Sequence, residues 1–318
     1  MAAANAILIA SGPWPPEPWA APIRTAEPER PLFIWPDLPD PAAIRYALVW
    51  KPPEGLLAKL PNLSAIFSLG AGVDHFIFQP GLPDVPIVRA VSPDLTRRMT
   101  EWVVLQVLLH HRRQRLYDRF QAERRWQELR QPSADQVRVG IMGMGVLGRD
   151  CAAVLARLGF RVAGWSRRPA TMADVESFAG EDGLTPFLQR TDILVSLLPL
   201  TPATRGILAL PLLRTLAHDG GLAQGPVLIN GGRGGLQVEA DVFTALTTGV
   251  LGAASLDVFE HEPLDPASPL WVLPNLVITP HVAASSIPAV IAPEIHRQIL
   301  AYEAGAPLTG IVDRATFY

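Results

Sequence analysis

The stretch "VRVGIMGMGVLGRDCAAVLARLG", residues 137–159, limits the possible folds more than any other part of the chain. An apolar run that reads as a strand leads into Gly143, Gly145 and Gly148, and these open a segment with apolar residues at helical spacing. Glycines in the G-x-G-x-x-G spacing meet three steric needs. The first makes a tight turn, the second lets a pyrophosphate approach the backbone, and the third lets the helix pack on the strand with its N-terminus facing the phosphates. The spacing alone is a weak signal, but with a strand before it and a helix after it the segment reads as a dinucleotide cradle. Cys151, inside that helix, reads as a small buried hydrophobe.

The rest of the chain fits an α/β frame around this segment. After Pro132 the runs "VRVGIM", "RVAGWS", "DILVSLLP", "PVLINGG", "GAASLDVF" and "LVITPHVA" give six strands, enough for a six-stranded doubly wound parallel sheet. Before it, "AILIA" (from Ala6 to Ala10), "PLFIW", "YALVW", "LSAIFSLG" and "VPIVRA" alternate with helix-like segments and predict a second parallel sheet. Between the two series, the segment from Asp94 to Trp126 lacks proline and glycine and predicts one long helix or two in tandem, carrying the chain from one domain to the next. With 318 residues, two packed domains are expected.

The second strand of the cradle unit ends in "GWSRRPA". A site that binds the adenosine ribose hydroxyls of NAD carries an acid there, about 20 residues beyond the glycines. This chain has Ser166, followed by Arg167 and Arg168. An acid would repel a 2′-phosphate, whereas two guanidinium groups can pair with one through charge-assisted, bidentate bonds. The expected cofactor is therefore NADP(H), with NAD possible; the bland alternative is a solvated turn.

Three later segments place polar groups at the C-terminal ends of apolar strands, where ligands bind in open α/β sheets. They carry Arg233 in "LINGGRGGL", Asp257 and Glu262 in "LDVFEHEPL", and His281 in "VITPHVAAS". Singly, each reads as an ordinary structural residue. Together they suit a 2-oxo acid: arginine to hold a carboxylate in its planar fork, histidine to protonate the carbonyl oxygen, and a carboxylate to support the histidine.

These residues, with "SLGAGVDH", "LVSLLPLTPATRGI", "EADVFTAL", "LDVFEHEPLDPASPLW", "TPHVAA" and "APLTGIVDRATFY", give the chain a resemblance to the D-isomer-specific 2-hydroxyacid dehydrogenase family, in its glyoxylate/hydroxypyruvate reductase branch. The resemblance implies a Rossmann-like cofactor domain, residues 99–287, and a flavodoxin-like, discontinuous substrate domain, residues 1–98 and 288–318. It implies NADPH-dependent reduction of a small 2-oxo acid, with Arg233 on the substrate carboxylate, Glu262 supporting His281 as acid/base, and Asp257 accepting from the nicotinamide amide. Ala71, Gly72 and Val73 would present backbone amides to the carboxylate. Cofactor contacts would also come from Val146, Leu147, Leu198, Pro199, Asn230, Gly231 and Ala283. Trp50, with Lys51, reads equally as a pocket wall and as core packing. Two departures stand out: Gly232 replaces the alanine or serine expected before Arg233, which predicts a looser loop, and "DLTRRMTEWVV" departs from the family pattern, so that only Arg98 is carried over from it as a contact.

Composition bounds the remainder. A net charge of −3 argues against a general nucleic-acid binder, and the arginines of "HHRRQRLYDRFQAERRWQELR" are interspersed with acids, as on a solvated helix. Family members dimerise through this region, so a homodimer through the cofactor domain is expected, with Trp126 at the contact. One cysteine, no apolar run near the roughly 20 residues of a membrane span, and no basic flank at the N-terminus predict a soluble, cytoplasmic chain. No metal site is expected. Two rivals remain: another reaction of the family, such as phosphoglycerate or formate oxidation, and a non-catalytic nucleotide-sensing corepressor of the same fold. Glu262 speaks against formate oxidation, which pairs the histidine with glutamine.

Overall fold

The computed structural model describes residues 5–318; residues 1–4, part of the segment considered for a leader, lie outside it. In chain order the elements are β1 (Ala6–Ala10), α1 (Glu17–Ala26), β2 (Leu32–Ile34), β3 (Ile44–Val49), β4 (Ala65–Ser68), β5 (Ile87–Val88), α2 (Pro93–His111) and α3 (Gln114–Ala122). Then come β6 (Arg138–Met142), α4 (Val146–Arg157), β7 (Arg161–Ser166), β8 (Val175–Ala179), α5 (Leu184–Gln189), β9 (Ile193–Ser196) and α6 (Leu210–Arg214). The chain closes with β10 (Val227–Asn230), α7 (Glu239–Thr248), β11 (Ala253–Leu256), β12 (Leu276–Ile278) and α8 (Pro288–Glu303). They form two compact units, one of residues up to Leu95 plus Ser286–Tyr318, the other Thr96–Ser285. The first break falls inside α2. No described helix is long and apolar enough to cross a membrane.

In the first unit the five strands pair in parallel in the order β2-β1-β3-β4-β5, a flavodoxin-like arrangement. Alternate side chains of each strand serve opposite faces. Ile7, Ile9, Leu48 and Phe67 pack with Trp19 and Ile23 of α1 and with Ile291, Ile295 and Ile299 of α8. Leu8, Ala47, Val49 and Ile66 pack on the other face with Leu57, Leu60 and Phe76. The short strand β5 does not end in an open edge. Ile311 bridges Val88 in antiparallel sense, with Val312 N–H donating to Ile87 O (2.8 Å) and Arg89 N–H to Gly310 O (3.1 Å). Such cover protects a sheet from pairing with another chain.

The second unit has seven parallel strands, in the order β12-β11-β10-β9-β6-β7-β8. This corrects the six-strand expectation. The added strand, "VESFA" of β8, lies at the sheet edge with only Val175 fully buried, so it lacks the apolar run that marks its neighbours. Connection order reverses between β6 and β9, which is where doubly wound sheets bind ligands. One face packs Val139, Ile141, Ile193, Val195 and Ile229 against α2 and α4, with Cys151 buried there as expected. The other packs Leu194, Leu228 and Leu256 against α5, α6 and α7.

The Asp94–Trp126 segment resolves into two helices. Arg113, in the left-handed region at φ 56°, breaks α2 from α3, and helix ends at Ala122, four residues short of Trp126. From Gln121 to Trp126 every side chain is exposed, and Arg124 takes a positive φ of 53°. On α2, Gln106 and His110 are one turn apart and share Ser255 of β11. Ser255 Oγ donates to Gln106 Oε1 (2.8 Å), which leaves its lone pairs to accept from His110 Nε2 (2.8 Å). Burial first, and then the charge of Arg115, push the His110 pKa down to about 4. The folded state thus resists a proton that the unfolded chain accepts below its ordinary value of 6.5. Stability from this group is complete above that value and is lost as pH falls from 6.5 towards 4, up to about 3 kcal/mol. Urea titrations at pH 7 and pH 4.5 are expected to show this loss, and His110→Gln to reduce it; an equal loss in the variant would remove His110 as its cause.

Candidate active site

The glycine turn joins β6 to α4. Gly143 has φ +104°, and a Cβ there would press on Leu197 O at 2.8 Å, so the turn after β6 lies against the segment after β9. A Cβ on Gly148 would collide with the Gly143 carbonyl oxygen, which is how α4 comes so close to its strand. Gly145, the N-cap of α4, differs: nothing lies within 4 Å of a Cβ built there. That open ground, in front of a 12-residue helix with no side-chain cap, fits a pyrophosphate. Val146, exposed, and Leu147, half-buried, form the first turn of the helix.

Ser166 is the last residue of β7, and its hydroxyl donates to Arg168 O (2.6 Å), closing the turn that leaves Arg167 and Arg168 exposed. Ala170 N–H donates to Ser177 Oγ on β8 (3.2 Å). Arg149 in α4 reaches back between the two loops, donating from Nε to Met144 O (3.1 Å) and from Nη1 to Thr171 O (3.4 Å). The sequence reading passed over Arg149; its place directly after the third glycine was the available signal.

The Arg233 loop is shaped by Asn230, whose side chain is wholly buried. Its Oδ1 accepts from Gly232 N (3.1 Å), while Nδ2 donates to Arg233 O (3.2 Å) and to Gln237 Oε1 (2.9 Å). Gly232 is packed: a Cβ there would meet Leu236 Cδ1 at 2.8 Å and Leu198 O at 2.9 Å. A Cβ on Gly234 would run into Phe259 O, so the loop lies directly against the segment leading to Glu262. Arg233 Nη1 donates to Gly232 O (2.8 Å) and the residue stands half-buried. Leu198 is buried and Pro199 partly so, beside the glycine turn.

His281 adopts the left-handed conformation, φ 55°, in the turn after β12. Its Nδ1 lies 3.0 and 2.9 Å from the two oxygens of Glu262. An ionised carboxylate only accepts, so the ring carries its proton on Nδ1 there and presents Nε2 outward. Asp257, 2% exposed, holds the turn from beneath. Its Oδ1 accepts from Thr279 Oγ1 (2.5 Å) and Val282 N (2.9 Å), its Oδ2 from Ala283 N (2.9 Å), and its carbonyl from His281 N (2.8 Å). Thr279 also accepts from Trp102 Nε1 (3.2 Å), and the Trp102 ring lies 3.1 Å from a Cβ built on Gly231. Neither Thr279 nor Trp102 carried a motif that would single it out. The second unit thus brings together Arg233, Glu262, His281 and Asp257 at strand ends.

Within the first unit, Ser68 Oγ donates to Gly72 O (2.8 Å) and accepts from Gly70 N (3.3 Å), curling the turn after β4. Ala71 and Gly72 stand partly exposed, and the Val73 side chain is in the core. Trp50 is buried between Trp14 (ring centroids 4.8 Å apart) and His75 (4.2 Å), with its ring edge against Gly70. Lys51 is exposed, its N–H donating to His75 Nδ1 (2.9 Å). Arg98 is exposed on α2, in the second unit.

Residues 104–283 match the model of the D-isomer specific 2-hydroxyacid dehydrogenase NAD-binding domain. A glyoxylate/hydroxypyruvate reductase A of Serratia proteamaculans is 41% identical over 303 residues, 93% of this chain and 95% of that protein. Among solved structures, the NADPH-dependent glyoxylate/hydroxypyruvate reductase of Sinorhizobium meliloti, in complex with NADP and sulfate, superposes with a TM-score of 0.93 at 47% identity, covering 99% of this chain and 100% of that one. A probable 2-hydroxyacid dehydrogenase of Rhizobium etli, in complex with NADP, HEPES and L(+)-tartaric acid, has the same TM-score at 46% identity and the same coverage.

Proposed function

Because the chain belongs to the D-isomer-specific 2-hydroxyacid dehydrogenase family, we propose that it reduces a small 2-oxo acid, glyoxylate or hydroxypyruvate, to the 2-hydroxy acid with NADPH as the preferred cofactor. The observation that carries this reading is the His281–Glu262 pair, bonded at 2.9 and 3.0 Å in the unit that holds the glycine turn. Gly143 and Gly145 with the first turn of α4 would hold the pyrophosphate, and Arg167 and Arg168 the 2′-phosphate. Bound there, a nicotinamide cofactor supplies the hydride.

The chain's own residues do the rest. Arg233 grips the substrate carboxylate through its fork. His281, doubly protonated when the substrate binds, gives its Nε2 proton to the carbonyl oxygen as hydride reaches the carbon and is left neutral with its Nδ1 proton on Glu262, which keeps the ring from turning. Asp257 Oδ2, which accepts one amide in the fold, has a lone pair left for a second donor and is assigned to the nicotinamide amide. The turn at Ala71–Val73 carries the amides assigned to a carboxylate, as the family resemblance implies.

The test is turnover of glyoxylate and hydroxypyruvate with NADPH and, separately, NADH. Wild type is expected to prefer NADPH, and Arg167→Asp to shrink or invert that preference by about tenfold or more, the scale of a lost charge-assisted pair plus a new repulsion. Equal use of NADH by wild type would reduce the two arginines to a solvated turn. Binding without turnover would favour the nucleotide-sensing rival.

We further propose a homodimer formed through the second unit at the segment after α3, where Trp126 is fully exposed among arginines. Light scattering is expected to return twice the 34.5 kDa chain mass; the mass of a single chain would end this reading. A cytoplasmic setting and no nucleic-acid partner complete the proposal, in keeping with a single buried cysteine and a net charge of −3.

A further inference from the structure

We propose that Trp102 is a positioning residue for His281, acting through Thr279 and Asp257; the inference rests on the proton-donor role assigned to His281 above. Every link is a hydrogen bond whose direction is forced. An indole N–H can only donate, so Trp102 Nε1 gives its hydrogen to Thr279 Oγ1 (3.2 Å). Asp257, as a carboxylate, can only accept, so the Thr279 hydroxyl proton goes to Oδ1 (2.5 Å). Thr279 is thereby committed to one rotamer with one partner on either side. The same carboxylate then takes the amides of Val282 and Ala283, the two residues after His281 (both 2.9 Å).

His281 needs this support because its backbone is left-handed, a region a histidine visits only when its surroundings hold it there. Trp102 and Asp257 are both buried, so water does not readily substitute for a missing donor. The Trp102 ring also lies against Gly231, two residues before Arg233. One helix side chain therefore touches the loop that carries the arginine and, through Thr279, the turn that carries the histidine.

The test compares Trp102→Phe, which removes the donor, with Thr279→Val, which keeps the shape and removes the hydroxyl, and Thr279→Ser, which restores it. In the first two, kcat for glyoxylate reduction at saturating NADPH is expected to fall about tenfold, the scale of one buried hydrogen bond lost. Amide hydrogen exchange at Val282 and Ala283, measured without cofactor or substrate, is expected to accelerate locally. Thr279→Ser should retain wild-type values in both measurements. Unchanged exchange at these two amides in both Trp102→Phe and Thr279→Val would overturn the inference. So would acceleration spread evenly over the second unit, or a Thr279→Ser protein as impaired as Thr279→Val. Should wild type reduce neither glyoxylate nor hydroxypyruvate, the activity reading fails by itself, and the exchange measurement still decides the relay.

Discussion

Replacing His281 with asparagine is expected to lower kcat for 2-oxo acid reduction by about 10²- to 10⁴-fold, the range general acid catalysis supplies. NADPH affinity should be nearly unchanged. Asparagine can still donate an amide hydrogen to Glu262, so the pairing that anchors the ring at 2.9 and 3.0 Å keeps a partner. Asparagine also tolerates the left-handed backbone at φ 55°, so the turn should survive. What disappears is a titratable nitrogen facing the substrate. Steady-state kinetics together with a fluorescence titration of NADPH separate the two effects. An unchanged kcat would take the proton-donor role away from His281.

A comparably large loss is expected for Arg233→Met. Truncating one partner of a desolvated charge pair costs about 2–5 kcal/mol, so kcat/KM should fall by about 30- to 4,000-fold. The main chain has reason to stay in place. Losing the guanidinium removes its bond to Gly232 O (2.8 Å), but the buried Asn230 side chain and the tight seats of Gly232 and Gly234 still hold the loop. Methionine keeps an unbranched apolar stem close to that of arginine and removes the charged fork. Arg233→Lys should recover part of the loss, because a single ammonium replaces charge but not bidentate geometry. Kinetics with glyoxylate read this directly; wild-type kcat/KM in the methionine variant would mean the carboxylate is held elsewhere.

The strands were legible where they are buried. "AILIA", "YALVW" and the "ILV" of β9 are apolar throughout because parallel strands with helices on both sheet faces bury every side chain. β8 was not legible for the opposite reason: at an edge, Glu176 and Ser177 face solvent and break the run. Helix length was over-read after Phe120, because arginine, glutamate and glutamine favour helix without needing a core to pack on. At the site, glycines, arginines, His281 and Glu262 stood out because their chemistry is specific. Thr279 and Trp102 did not. A threonine at a strand end and a tryptophan in an apolar helix look like packing, and only their hydrogen bonds, between residues 177 positions apart, reveal otherwise. The close seat of Gly232 was not legible, because sequence shows the missing side chain and not the Leu236 and Leu198 atoms that occupy its space.

The return of α8 to the first unit bears on the order in which the protein is built. Trp19 and Ile23 leave the ribosome well before Ile291, Ile295 and Ile299, which cover the same face and follow the whole second unit in the chain. The second unit, Thr96–Ser285, is one uninterrupted stretch and has all its partners before α8 is made. Synthesis therefore reverses the written order: the domain that begins first must wait, with an apolar sheet face uncovered, until the other is complete.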